Sequence, residues 1–161
     1  MSGERDPGGP PRDPPDGFAV EPATPDDRLD VLRVLDAAML ETDAAALDDA
    51  VDRGDALVAS FDRTDAVVGA LVAVRRGPEQ LHVDAVAIRW SRRGRGIGSA
   101  LVATAVRRAE RDPEVGVVTA EFDAELEEFY HDLGFEVVTE RDGESGGRLR
   151  GSRRVDEGPS R

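Results

Sequence analysis

Cysteine is absent from the 161-residue chain, so disulfides, thiolate metal sites and cysteine nucleophiles are excluded. Lysine and asparagine are absent as well, and isoleucine occurs only at Ile88 and Ile97. Without lysine there is no Walker-type phosphate loop. Histidine is confined to His82 and His131, which lack metal-ligand spacing, so no metal site is expected. Aromatic residues make up 4% of the chain, with one Trp and one Tyr. No apolar run approaches the ~20 residues of a membrane span, so no membrane partner is expected. Positive charge is in deficit: 34 acidic residues face 21 basic ones, a net charge of −13. A nucleic-acid binder leans the other way, because affinity for phosphate comes from basic side chains. The Ala, Val, Asp, Arg and Gly vocabulary resembles that of a salt-adapted cytoplasmic proteome. Net charge speaks to solubility rather than to fold.

What is present is one domain's worth of sequence. Residues 1–17 hold five prolines and four glycines, without apolar periodicity. They are expected to be a disordered tail and not a signal peptide, as are residues 156–161. The folded unit is then 18–155, and the compartment expected is the cytoplasm. Phe18 to Glu21 reads as a strand. Thr24-Pro25-Asp26-Asp27 reads as a helix start, since Thr caps, Pro suits the first turn and acids suit the positive helix end. Leu29, Leu32, Leu35 and Met39 are expected on its inner face. A second helix is predicted from Asp43 to Arg53, stopped by Gly54.

The apolar runs 56–61 and 66–74 read as a hairpin, and Leu81 to Ile88 as the next strand. The segment 89–98 follows it. A helix then carries Ile97, Leu101, Ala105 and Ala109 on one side. Val115 to Ala120 is a predicted strand. Asp123 to Leu133 is a predicted helix with Leu126, Phe129 and Leu133 inward, and 135–140 a further strand. Residues 147–155 are a weak candidate for a last one. The order βααβββαβαβ(β) implies an α/β (α+β) fold, a mixed sheet flanked by helices.

The informative segment is Arg92-Arg93-Gly94-Arg95-Gly96-Ile97-Gly98-Ser99, which joins a buried strand to an amphipathic helix. Glycines there let backbone N–H groups approach a ligand, and the helix N-terminus adds partial positive charge. Together they suit a pyrophosphate. A dinucleotide-binding fingerprint fits poorly, because the preceding strands form a hairpin and not a βαβ unit.

Arg93-x-x-Gly96-x-Gly98 at a strand–helix junction resembles the acetyl-CoA signature of the GNAT-type N-acetyltransferases. Glu127-Glu128-Phe129-Tyr130-His131-Asp132-Leu133-Gly134-Phe135-Glu136-Val137 resembles that family's late helix and strand. Residues 18–27 and Val67-Val68-Gly69 resemble its opening and its third strand, so the likeness runs from Phe18 to Glu140. It implies a centrally split sheet and transfer of acetyl from acetyl-CoA to a primary amine, on a small molecule or a protein, by a monomer or homodimer. It also implies that the glycine-loop amides hold the CoA pyrophosphate. A backbone N–H among Val86, Ala87 and Ile88 would receive the thioester oxygen.

Amine attack needs a base, because an alkyl ammonium has a pKa of about 10.4. The leaving thiolate needs a proton, and Tyr130 holds one at neutral pH. The plain alternative for Tyr130 is a core tyrosine beside Phe129. His82, Asp84 and Glu121 are the candidate bases. His82 and Asp84 are expected on one strand face with Val86 and Ile88. Asp84 stands out because a mid-strand carboxylate would be costly to bury. The family often has Asn seven residues before the Tyr, where Asp123 stands here; an acid would repel phosphate and suits a helix cap. Residues 141–154 are polar where the family's last strand is apolar. Two other readings are an inactive acyl-CoA sensor of the same fold and an RNA-binding module built on the Arg/Gly stretch.

Overall fold

The computed structural model describes residues 17–38, 40, 43–89, 96–139 and 148–155. The expectations for residues 1–16, Met39, residues 156–161, and Arg92, Arg93, Gly94 and Arg95 lie outside them. A strand β1 (Phe18–Pro22) leads through a single 3-10 turn into helices α1 (Arg28–Ala37) and α2 (Ala44–Arg53). Strands β2 (Ala56–Phe61), β3 (Ala66–Arg76) and β4 (Gln80–Ile88) follow. Helix α3 (Ile97–Glu110), strand β5 (Val117–Asp123), helix α4 (Glu127–Asp132) and strands β6 (Glu136–Thr139) and β7 (Arg148–Arg154) complete the chain. Among the described residues, no helix is long and apolar enough to cross a membrane.

The strands form one sheet in the order β1-β2-β3-β4-β5-β7-β6. Among the described residues, only β4 and β5 pair in parallel, as expected where a helix makes the crossover. Gly17 belongs to this folded unit, since its carbonyl accepts the Asp62 N–H at 2.8 Å.

Local signals account for several ends. Asp43 caps α2 by accepting the Ala46 N–H at 3.0 Å, and Gly54 ends it in the left-handed region at φ 78°. The inner face of α1 differs from expectation. Val31, Val34 and Leu35 are buried, Leu32 is only partly buried, and Leu29 is exposed. The reason is angular. At about 100° per residue, Leu29 lies about 120° from Leu35, whereas Val31 lies within about 40° of it.

Helix α4 is also displaced. Asp123 closes β5 instead of opening the helix, a 3-10 turn takes Ala124–Leu126, and Leu126 is left exposed. The weak last strand is real, and it inserts between β5 and β6. Gly151 makes that insertion possible, because a Cβ there would stand 3.1 Å from the Phe122 ring.

The core has two halves. Leu57, Leu71, Leu81, Val83 and Val118 pack against Leu101, Val102 and Val106 of α3, with Tyr130, Leu133 and Phe135 at one end. Val58, Val67, Val72, Ala85 and Ala87 pack on α1 and α2 from the other face.

The far end of the sheet is clamped by Arg75. Its Nε and one terminal nitrogen hold the two oxygens of Asp55, whose side chain is 7% exposed, at 2.8 and 3.0 Å, and the same nitrogen reaches Asp112 at 3.0 Å. The hydrogen bond to Asp55 raises the Arg75 pKa still further above its ordinary value. Arg75→Met should cost about 2–3 kcal/mol, since it strands the Asp55 carboxylate away from water. A melting temperature lowered by several degrees checks this, and an unchanged one refutes it.

Candidate active site

Strand β4 contains a bulge. Val72 pairs with Ala85 and Ala73 with Val83, leaving Asp84 as the extra residue. This one residue reverses which side chains face which way. Leu81 and Val83 face α3, and after the bulge so do Val86 and Ile88, while Ala85 and Ala87 face α1 and α2. His82 therefore does not share a face with Val86 and Ile88, contrary to the strict alternation expected. Asp84 is exposed, so the burial that set it apart as a base does not occur.

Just past the bulge the sheet forks. The β4–β5 ladder stops at Val83↔Ala120. Strand β4 runs on to Ile88 along β3, while β5 runs on to Asp123 along β7. The Arg89 N–H donates to the Val68 carbonyl at 2.7 Å. By antiparallel alternation, the Ala87 backbone is also turned to β3, and the backbone groups of Val86 and Ile88 are turned to the fork. Of the three residues expected to offer a donor, Val86 and Ile88 are therefore the two turned to the fork.

Helix α3 begins beside this fork. Its N-cap is Gly96 at φ 84°, which offers no side chain to the first-turn amides. That dihedral suits glycine above all other residues. Ile97 is buried in the core, and Ser99 is buried as well. A Cβ built on Gly98 would meet nothing within 4 Å. First-turn amides with no N-cap side chain, a helix dipole and open space beside Gly98 fit an anion of pyrophosphate size.

Tyr130 is 5% exposed. Its ring stacks on Phe122 at 4.0 Å and meets Phe129 and Phe135 edge-on at 4.9 and 5.3 Å. The ring is thus a core element, as the plain alternative had it, and the adjacent Phe129 packs against the same cluster. Phe122 lies on the α3 face of β5, and its neighbour Glu121 points to the opposite face. Glu121 is exposed and meets Arg150 of β7 at 3.4 Å. His82 is buried, and its Nδ1 lies 2.8 Å from Thr119 Oγ1. Gln80 Nε2 donates to the same oxygen at 2.8 Å. Thr119, Gln80 and Arg150 escaped the sequence reading; period-two alternation with His82 and Glu121 was a usable signal for Gln80 and Thr119, whereas Arg150 comes from another strand.

Burial, reinforced by Arg76, holds the His82 pKa below its ordinary 6.5, whereas Glu121 and Asp84 act in the opposite sense. The folded protein therefore prefers neutral imidazole. This contribution to stability is complete above the ordinary value and is lost as pH falls through the lower, folded one. Between about pH 7 and 5 the wild-type melting temperature should fall more than that of His82→Gln. Parallel curves would count against it.

Among the described residues, no three His, Asp or Glu side chains come together as a metal site. A split sheet, a helix start with glycine at its N-cap and a tyrosine on the late helix are the parts of this candidate site. The model of the Acetyltransferase (GNAT) domain matches residues 26–149, and the chain belongs to that family. It is an N-acetyltransferase that uses acetyl-CoA. No curated protein matches it significantly.

Solved structures share its fold at low identity. The ribosomal-protein-S18-alanine N-acetyltransferase of Escherichia coli is 13% identical with a TM-score of 0.69, over 89% of this chain and 97% of that one. Naa50 of Arabidopsis thaliana, in complex with the bisubstrate analogue CoA-Ac-MVNAL, is 15% identical with a TM-score of 0.68, over 85% and 98%. Ard1 of Thermoplasma volcanium is 20% identical with a TM-score of 0.66, over 86% and 98%.

Proposed function

We propose that the fork between β4 and β5 is the site of direct acetyl transfer to a primary amine, with His82 as base and Tyr130 as acid. The observation that carries this is the placement of the two groups. His82 sits one residue before the ladder ends, on one face of the sheet. Tyr130 stacks on Phe122, two residues past that end, on the other face.

Acetyl-CoA supplies the activated thioester. The first-turn amides of α3, at Gly96, Ile97, Gly98 and Ser99, bind the pyrophosphate of the donor. The backbone N–H groups of Val86 and Ile88 receive the oxyanion that develops on the thioester carbonyl. His82 takes a proton from the incoming ammonium, so that the nitrogen lone pair can form the C–N bond. As the C–S bond breaks, Tyr130 gives its phenolic proton to the sulfur; the second proton lost by the acylated nitrogen restores the phenol through water, and His82 releases the first to solvent. Neutral His82 is a competent proton acceptor at pH 7, whereas Glu121 is engaged with Arg150.

An acceptor screen with peptide N-termini, polyamines and small amine metabolites, read by CoA release, tests the reading. With the best acceptor, His82→Ala should lower kcat by roughly 10²-fold or more. A change of less than threefold would remove His82 as base.

A further inference from the structure

The parallel register sets His82 beside Thr119 and Gln80 beside Val117. Strand alternation then puts Gln80, His82 and Thr119 on one face of the sheet. Their side chains converge on a single atom. Thr119 Oγ1 lies 2.8 Å from Gln80 Nε2 and 2.8 Å from His82 Nδ1. Neither Gln80 nor Thr119 has acid–base chemistry of its own at neutral pH.

We infer that Gln80 and Thr119 are positioning residues that fix the tautomer of His82, with the Nδ1–H donated to Thr119 Oγ1 and Nε2 left as the proton acceptor. This rests on His82 being the base. A hydroxyl has two lone pairs and one proton. The Gln80 N–H occupies one lone pair. His82 Nδ1 then either donates to the second lone pair or accepts the hydroxyl proton.

In the first arrangement the bond survives when Nε2 gains a proton, and it strengthens because the donor is then charged. In the second, imidazolium would set an N–H against an O–H, and the contact would have to reverse. A base that cycles between neutral and charged forms is held in one orientation only by the first. The charged groups around the ring are Asp84 on its own strand, Arg76 on β3, Glu121 on β5 and Arg150 on β7. They are two of each sign, and the ring's hydrogen bond goes to none of them but to the neutral hydroxyl.

Nitrogen NMR of the intact protein across pH reads the tautomer directly, with His131→Gln used to assign the two histidines. The expected neutral form of His82 has a protonated, pyrrole-type Nδ1 and a bare, pyridine-type Nε2. The opposite pattern in wild type overturns the inference, whatever any variant does. Thr119→Val removes the acceptor for imidazolium, so the His82 titration should move to lower pH by roughly half to one unit. Thr119→Ser should restore it. A titration that moves up or stays put shows that the hydroxyl donates or is idle, and refutes the assignment.

The turnover of His82→Ala separates the two ideas. The wrong tautomer with an impaired His82→Ala sinks the positioning and leaves the base. The right tautomer with unimpaired turnover sinks the base.

Discussion

Gly98→Asp should lower acetyl-CoA affinity by about 100-fold or more while leaving the unliganded protein slightly more stable than wild type. The two effects have opposite signs because they come from the same field. Gly98 is the second residue of α3, in a first turn with no acidic side chain. A carboxylate there complements the helix dipole by about 0.3–1 kcal/mol and replaces a poor helix former. Space is not a problem, since a Cβ at this position touches nothing within 4 Å. The same carboxylate would stand where the first-turn amides meet a pyrophosphate, and like charges within a few ångströms repel by several kcal/mol.

Gly96 is a less clean probe. Its φ of 84° strains any L side chain, so a Gly96 variant that fails to bind mixes backbone strain with lost recognition. Calorimetric titration with acetyl-CoA, alongside a thermal melt of the unliganded protein, reads both quantities for Gly98→Asp. Undiminished affinity in a folded variant would move the phosphate site away from α3.

Tyr130→Phe should lower kcat by roughly 10²–10⁴ with little change in acetyl-CoA binding. The ring is held by Phe122, Phe129 and Phe135, and phenylalanine keeps all three ring contacts. Only the hydroxyl goes, so the stability cost should stay near 1 kcal/mol, a few degrees of melting temperature. The loss of rate should shrink with acyl donors whose thiol leaves more readily, because they need less protonation. If Tyr130 served packing alone, turnover would be near normal once the variant folded. A ratio of wild-type to Tyr130→Phe kcat below threefold, at saturating amine, would take Tyr130 out of the chemistry and leave a solvent water as the proton source.

How legible the site was depends on how local its signals are. The glycine pattern at 96–98 announced a helix start because a φ of 84° without a Cβ clash is a property of glycine itself. Asp43 and Gly54 announced the ends of α2 for the same kind of reason. The candidate bases were harder. His82 and Glu121 were legible as polar strand residues and candidate bases, yet their surroundings were not. The distance from His82 to Thr119 spans 37 positions of sequence, and that from Glu121 to Arg150 spans 29. Asp84 was misjudged because alternation was carried through a position where the strand bulges.

By itself, then, the sequence determined most of the elements and their order, the glycine-led start of α3 and the presence of a tyrosine-bearing late helix. Each of these follows from backbone preference or apolar periodicity within a dozen residues. Only the tertiary structure decided which side chains share the fork. Strand pairing has a period of two, so the one extra residue at Asp84 transfers every later β4 side chain to the other face. It buries Ala85 and Ala87 under α1 and α2 and turns Val86 and Ile88 toward α3. Likewise, the insertion of β7 between β5 and β6 sets Arg150 beside Glu121, and Gly151 against the Phe122 ring that carries Tyr130. Registers between distant strands are settled by the packing of the whole sheet, because no single strand contains the partner that makes one register better than the next.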